Sequence, residues 1–308
     1  MNRSRHIGRL ALAVVFVALA GCSTPGAPPP TVATTVIPAP APPTSLPVGW
    51  PEHRRGDTLW NLVNGNTAKG ITGCVPNQLA GVTPPKPCAE VWIAGGVAGG
   101  YVALKDQAGI GQYLVMPTQL ITGIEDSKLR APGATNYFDP AWRVRTMAID
   151  LLGKQYPGIE LTRDDISIAV NSFGGRSQDL LHLHVDCLTT AVRDELHALL
   201  PSIGRTWSAQ PVTLDGRPFY AMRIDGDDKV PVDPFVVLRQ GLKVPSSEMG
   251  LWTLVLAGAT FSDGPGFVLL ASRADPTQGW DASGEVLQGD HLCLRPGFKP
   301  PNPVAVSR

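Results

Sequence analysis

The chain predicts an α+β fold built on antiparallel strands. Two observations carry that expectation. Residues 100–105 and 112–116 alternate, are rich in β-branched and aromatic residues, and are joined by an Asp- and Gly-containing stretch at 106–111, the pattern of a hairpin. Residues 139–156 place Trp142, Met147, Leu151 and Leu152 at helical spacing and stop before Pro157, so a long amphipathic helix separates that hairpin from the strands that follow.

In chain order, 57–63 reads as a short helix with a polar start, and 74–88 as a Pro- and Gly-rich loop between two cysteines. Residues 89–93 are strand-like and precede the hairpin. In the long helix Asp139 is the expected cap, with Pro140 in the first turn, where an amide hydrogen has no partner to lose. A strand at 166–170, a glycine turn at 171–177, a strand at 180–187 and a helix at 190–200 stopped by Pro201 complete this part. Further on, 219–224 is strand-like, 234–242 helix-like, and 252–257 with 267–272 a second hairpin around Ser262-Asp-Gly-Pro-Gly. A second, degenerate copy of the first half stays open here, because strand, helix and hairpin do not superpose cleanly on it.

The first 48 residues are expected to stand apart from the fold. Arg3, Arg5 and Arg9, the apolar run 10–20 and Leu19-Ala-Gly-Cys22 form a basic, then apolar, then small-residue pattern that resembles a bacterial lipoprotein signal. The resemblance implies removal of residues 1–21, lipidation of Cys22 and residence at the extracytoplasmic face of a membrane; an ordinary secretory signal is the alternative. Residues 22–48 are then a Pro-rich tether with too little apolar surface to fold. The expected folded regions are 49–200, carrying the chemistry, and 201–308, packed on it.

Charge narrows the partners. The chain has 26 basic and 26 acidic residues, and loss of residues 1–21 removes three arginines, leaving about −3. With no basic run, nucleic acid is not an expected partner. Cys74, Cys88, Cys187 and Cys293 are an even set in an exported chain, which suggests two disulfides. The short loop favours Cys74 with Cys88, leaving Cys187 for Cys293; free buried thiols are the alternative.

Chemistry concentrates in SQDLLHLHVDC, residues 177–187. On a regular strand Leu180, His182 and His184 share one face, with the rings about 7 Å apart. Asp186 would share that face about 13 Å from His182, too far to close one metal site with both histidines, so no metal is expected.

The pieces Val102-Ala-Leu-Lys-Asp106, Gln112-Tyr-Leu-Val-Met-Pro-Thr118, Asn171, Gly174-Gly175, Ser177 and Leu181-His-Leu-His-Val185 together resemble the histidine triad (HIT) superfamily. Cys74-Val-Pro-Asn, Pro87-Cys-Ala-Glu-Val and Gly175-Arg-Ser-Gln narrow the resemblance to its CDP-diacylglycerol pyrophosphatase branch. It covers 57–187 well and the C-terminal part loosely, through Phe267-Val-Leu-Leu-Ala and Asp290-His-Leu-Cys293.

That resemblance implies a HIT-like antiparallel sheet with flanking helices, and hydrolysis of CDP-diacylglycerol to CMP and phosphatidate without a cofactor. It implies His182 as nucleophile and His184 as a donor to a phosphate or leaving oxygen. Asn171, Ser177 and the amides of the Gly174-Gly175-Arg176 turn would be further donors, with the Arg176 charge suited to phosphate and Gln178 part of the same turn. Asp106 would hold ribose hydroxyls, or else serve only its hairpin. The sequence departs from the motif at Leu180, where relatives carry the first histidine. A catalytically silent nucleotide-binding lipoprotein and a hydrolase of another nucleoside diphosphate ester are the competing readings.

Overall fold

The computed structural model describes residues 57–66, 70, 72–289, 291 and 293. The expected signal, the tether and Cys22 lie outside the described residues. Nine strands form one open, wholly antiparallel sheet in the order β1-β2-β3-β5-β4-β8-β9-β7-β6. They are β1 (Glu90–Trp92), β2 (Tyr101–Lys105), β3 (Tyr113–Pro117), β4 (Ile166–Val170), β5 (Leu183–Cys187), β6 (Val212–Leu214), β7 (Arg217–Asp225), β8 (Trp252–Phe261) and β9 (Gly264–Arg273). The helices are α1 (Asp57–Asn64), α2 (Cys74–Leu79), α3 (Phe138–Gln155), α4 (Thr190–Leu199) and α5 (Pro234–Gly241).

Pleating sends alternate side chains of this sheet into separate cores. Val115, Val185, Ile168, Leu256 and Leu269 pack with Trp142 and Phe138 of α3 and Phe235 of α5. The Trp142 ring meets Phe267 edge-on at 4.9 Å between centroids, and Phe138 meets Phe235 at 5.3 Å. On the opposite face, Leu104, Leu114, Met116 and Leu180 pack with Leu59, Trp60 and Val63 of α1. Farther across that face, Ala169, Val255 and Leu270 pack with Val192 and Leu196 of α4 and with Ala282 and Leu287. His184 pairs with Leu114 and Ala169, so it belongs to this second face, between those two apolar clusters.

Once β6 is counted, the chain repeats an order. The succession β2-β3-α3-β4-β5 is followed by β6-β7-α5-β8-β9, and the sheet runs outward from the β4–β8 seam as mirrored four-strand sets. The sequence reading lacked β6 because it is only three residues long. Its turn was nonetheless written: Asp215 and Gly216 both have positive φ, 47° and 68°, as a two-residue hairpin turn requires.

Three other elements differ from expectation. Cys74–Leu79 is helical despite Pro76, which sits in the first turn where no amide hydrogen is needed. Asp139 lies inside α3, where its carboxylate accepts from the Val230 amide at 3.0 Å and pairs with Arg143. The histidine strand starts at Leu183 rather than residue 180, because the Leu181 amide donates to the Ile121 carbonyl, outside the ladder. Both expected disulfides are present, Cys74–Cys88 and Cys187–Cys293.

Candidate active site

His182 and His184 are both buried, and their rings meet edge-on with centroids 4.8 Å apart. This is closer than a regular strand allows, because His182 precedes the ladder and its ring turns back on the chain. There His182 Nδ1 lies 2.5 Å from the Leu180 carbonyl oxygen. A carbonyl only accepts, so Nδ1 carries the proton and Nε2 keeps its lone pair. Burial, followed by the charge of neighbouring His184, pushes the His182 imidazole down to about 4, so it is neutral at pH 7.

His184 is held differently. Its Nδ1 lies 2.8 Å from Glu285 Oε1 and 3.1 Å from Gln112 Nε2, while its Nε2 is buried with no hydrogen-bond partner among the described residues. Burial works to raise the Glu285 pKa, but the His184 charge and the hydrogen bonds from His184 and Asn171 outweigh it and hold the carboxyl down to about 2. Gln112 Nε2 also donates to Glu285 Oε1, at 3.2 Å.

The expected phosphate donors are mostly engaged elsewhere. Asn171 gives its Nδ2 to Glu285 Oε2 at 2.6 Å, and its Oδ1 accepts from the Gly284 amide at 2.9 Å. Asn171 thus orients a carboxylate, although it lines a small cavity together with His182, Arg176 and Gly123. The Gly175 amide donates to Ser172 Oγ and the Arg176 amide to the Ser172 carbonyl, closing the turn on itself. Gly175 is required by contact: a Cβ there would lie 2.9 Å from Ser283 Cα.

Arg176 also departs from expectation. Its guanidinium makes four hydrogen bonds, two to Glu125 and two to Asp179, at 2.6 to 3.0 Å, inside a buried cluster. Two carboxylates offset its charge, so it ties the turn to the 123–125 segment instead of presenting a free fork. Gln178 Oε1 accepts from the Leu59 amide at 3.1 Å, satisfying an open donor at the start of α1. Ser177 is exposed. Asp106 Oδ1 accepts from the amides of Gln107 and Ala108, a hairpin-turn role, at the end of β2. Leu180 is fully buried among apolar side chains, so the first-histidine slot is packed with hydrocarbon.

Glu285, Gln112 and Gln288 were not foreseen as site residues. Gln288 Nε2 donates to the Ser167 carbonyl and Oγ and to the His184 carbonyl, which braces the strand from behind. Asp186, buried next along the same face, pairs with His291 Nδ1 at 2.7 Å. Asp186, Cys187 and Cys293 converge, but the two sulfurs are bonded to each other and are not metal ligands.

The depressed His182 pKa has a consequence for stability. An unfolded chain binds a proton near 6.5, whereas the folded one refuses it until about 4, so stability falls as pH drops through that window. The 2.5 pH units at 1.36 kcal/mol each set a ceiling of about 3 kcal/mol. His182→Gln should remove this part of the acid sensitivity, measured by urea unfolding at pH 7 and pH 5; an unchanged difference between the two pH values would refute it.

A neutral imidazole at the entry to β5 stands beside a second one whose Nδ1 meets a carboxylate, groups whose chemistry suits nucleophilic and acid–base work. The family model for CDP-diacylglycerol pyrophosphatase matches residues 54–295. CDP-diacylglycerol pyrophosphatase of Yersinia pestis is 33% identical over 237 residues, covering 77% of this chain and 84% of that protein. The chain belongs to the CDP-diacylglycerol pyrophosphatase family.

Proposed function

We propose that this protein cleaves the phosphoanhydride of CDP-diacylglycerol to CMP and phosphatidate through a cytidylyl-histidine on His182. The observation that carries the reading is the His182 Nδ1 contact with the Leu180 carbonyl, which fixes the tautomer and leaves a lone pair on Nε2. In the first step Nε2 attacks the cytidylyl phosphorus, the bond to the bridging oxygen breaks, and phosphatidate leaves with a proton from His184 Nε2. In the second step water attacks the same phosphorus, the P–N bond breaks, CMP departs, and the proton of that water returns to His184. His182 stays uncharged at neutral pH, so its lone pair is available without prior deprotonation. Lipid attachment at Cys22, with the domain held at the outer face of a membrane, would bring the site to a substrate that resides in a bilayer.

Turnover in ¹⁸O-labelled water tests the route. Label should enter CMP and not phosphatidate, because water meets only the cytidylyl phosphorus. Label in phosphatidate would overturn the covalent route. Turnover confined to soluble nucleoside diphosphate esters would overturn the lipid substrate.

A further inference from the structure

Residues 281–289, with His291 and Cys293, cross the histidine face as a strap fastened along its length. The Ala282 carbonyl accepts from the Ser172 amide at 3.1 Å, the Leu287 carbonyl from the Thr189 amide at 2.9 Å, Gln288 grips β4 and β5, His291 pairs with Asp186, and Cys293 is bonded to Cys187. The strap lies close: a Cβ on Gly284 would fall 2.6 Å from Thr253 Oγ1 and 2.8 Å from Val255 Cγ2. Among its described residues, Glu285 is the one whose side chain meets the His184 imidazole.

We infer that Glu285 is a positioning residue for the reaction: its carboxylate meets His184 Nδ1 and fixes the ring, so that Nε2 is the nitrogen turned to the departing phosphatidate. This rests on the reading of His184 as the proton donor. The carboxylate has little freedom. Oε1 meets His184 Nδ1 at 2.8 Å and Gln112 Nε2 at 3.2 Å, and Oε2 takes the Asn171 amide at 2.6 Å. Asn171 Oδ1 in turn receives the backbone amides of Gly284 and Glu285 at 2.9 and 3.4 Å. With Nδ1 turned to a carboxylate, Nε2 is the ring nitrogen left for a substrate, a buried atom with no hydrogen-bond partner among the described residues.

The arrangement also fits the empty triad position. Leu180 gives the histidines an apolar flank, and their polar support comes from Glu285 on the strap. The other titratable or charged groups around His184 are neutral His182 just before its strand, Asp186 with its partner His291 farther along the face, Lys105 acting on Asp186, and Arg176 acting on His182 from the turn. Gln112, just before β3, contributes no charge. Glu285 is therefore the carboxylate in direct contact with His184.

Glu285→Gln in the full chain keeps the shape and removes the charge. We expect kcat to fall about a hundredfold with KM within about threefold. Glu285→Asp should recover part of the loss. Proton NMR should show a downfield His184 Nδ1–H resonance in the wild type, absent in His184→Gln and moved upfield in Glu285→Gln. An unchanged kcat together with an unmoved resonance would overturn the inference. The resonance reads the pairing without substrate, so a protein inactive on CDP-diacylglycerol would refute the proposed function while leaving the Glu285 test standing.

Discussion

His182→Ala should lower kcat on CDP-diacylglycerol by at least a hundredfold to a thousandfold, about 3 to 4 kcal/mol of lost transition-state stabilisation. The argument is geometric. In the proposed route Nε2 of His182 is the nucleophile, with its tautomer set by the Leu180 carbonyl and its charge suppressed by burial. Removing the ring takes away the covalent route and leaves only whatever binding and general acid catalysis supply. Rapidly quenched wild-type enzyme given cytidine-labelled substrate should carry label that maps to His182 after digestion without acid. An adduct on another residue, or normal turnover by the variant, would sink the assignment. Far-ultraviolet circular dichroism and the urea midpoint separate lost chemistry from lost folding.

The second large effect belongs to the Cys187–Cys293 bridge. It spans 106 residues against 14 for Cys74–Cys88. Restricting the unfolded chain over a loop of that length is worth about 4.7 kcal/mol in the chain-entropy account, against about 3 kcal/mol for the short one. Cys187→Ser with Cys293→Ser should therefore destabilise the protein by about 1 to 2 kcal/mol more than Cys74→Ser with Cys88→Ser, measured by urea unfolding of the two double variants. It should also weaken catalysis, since the bridge fastens the strap that carries Glu285. A smaller loss than the short-loop variant, or full activity with the strap unfastened, would contradict this.

Much of the scaffold was legible because local chemistry wrote it. The Asp- and Gly-containing hairpin at 106–111, the apolar stripe of α3, the helix after Asp233 and the cysteine pairing all follow from neighbouring residues or simple counting. The two histidines were legible as a pair, but not their spacing, because a backbone amide at Leu181 leaves the ladder for Ile121 and bends the entry to β5. Motif reasoning named Asn171, Gly175, Arg176 and Gln178, yet it gives residue type without direction. Each of the four turns its polar groups to Glu285, Ser172, Glu125 and Asp179, or α1. Glu285 left no local mark, since an acid in a polar segment looks solvated until a distant strand is laid under it. The nearest signal was Asp290-His-Leu-Cys293 close by, which with Cys187 already implied that the end of the chain returns to the histidines.

That return path imposes an order on synthesis. Chains emerge from the ribosome N-terminus first, so β3, β5 and both imidazoles exist before the segment that carries Glu285 has been made. A nascent or truncated chain ending near residue 280 would hold two histidines without the carboxylate that meets His184 Nδ1, and half of the Cys187–Cys293 pair would be missing. If Glu285 positions His184 as proposed, catalytic competence is among the last properties the polypeptide acquires.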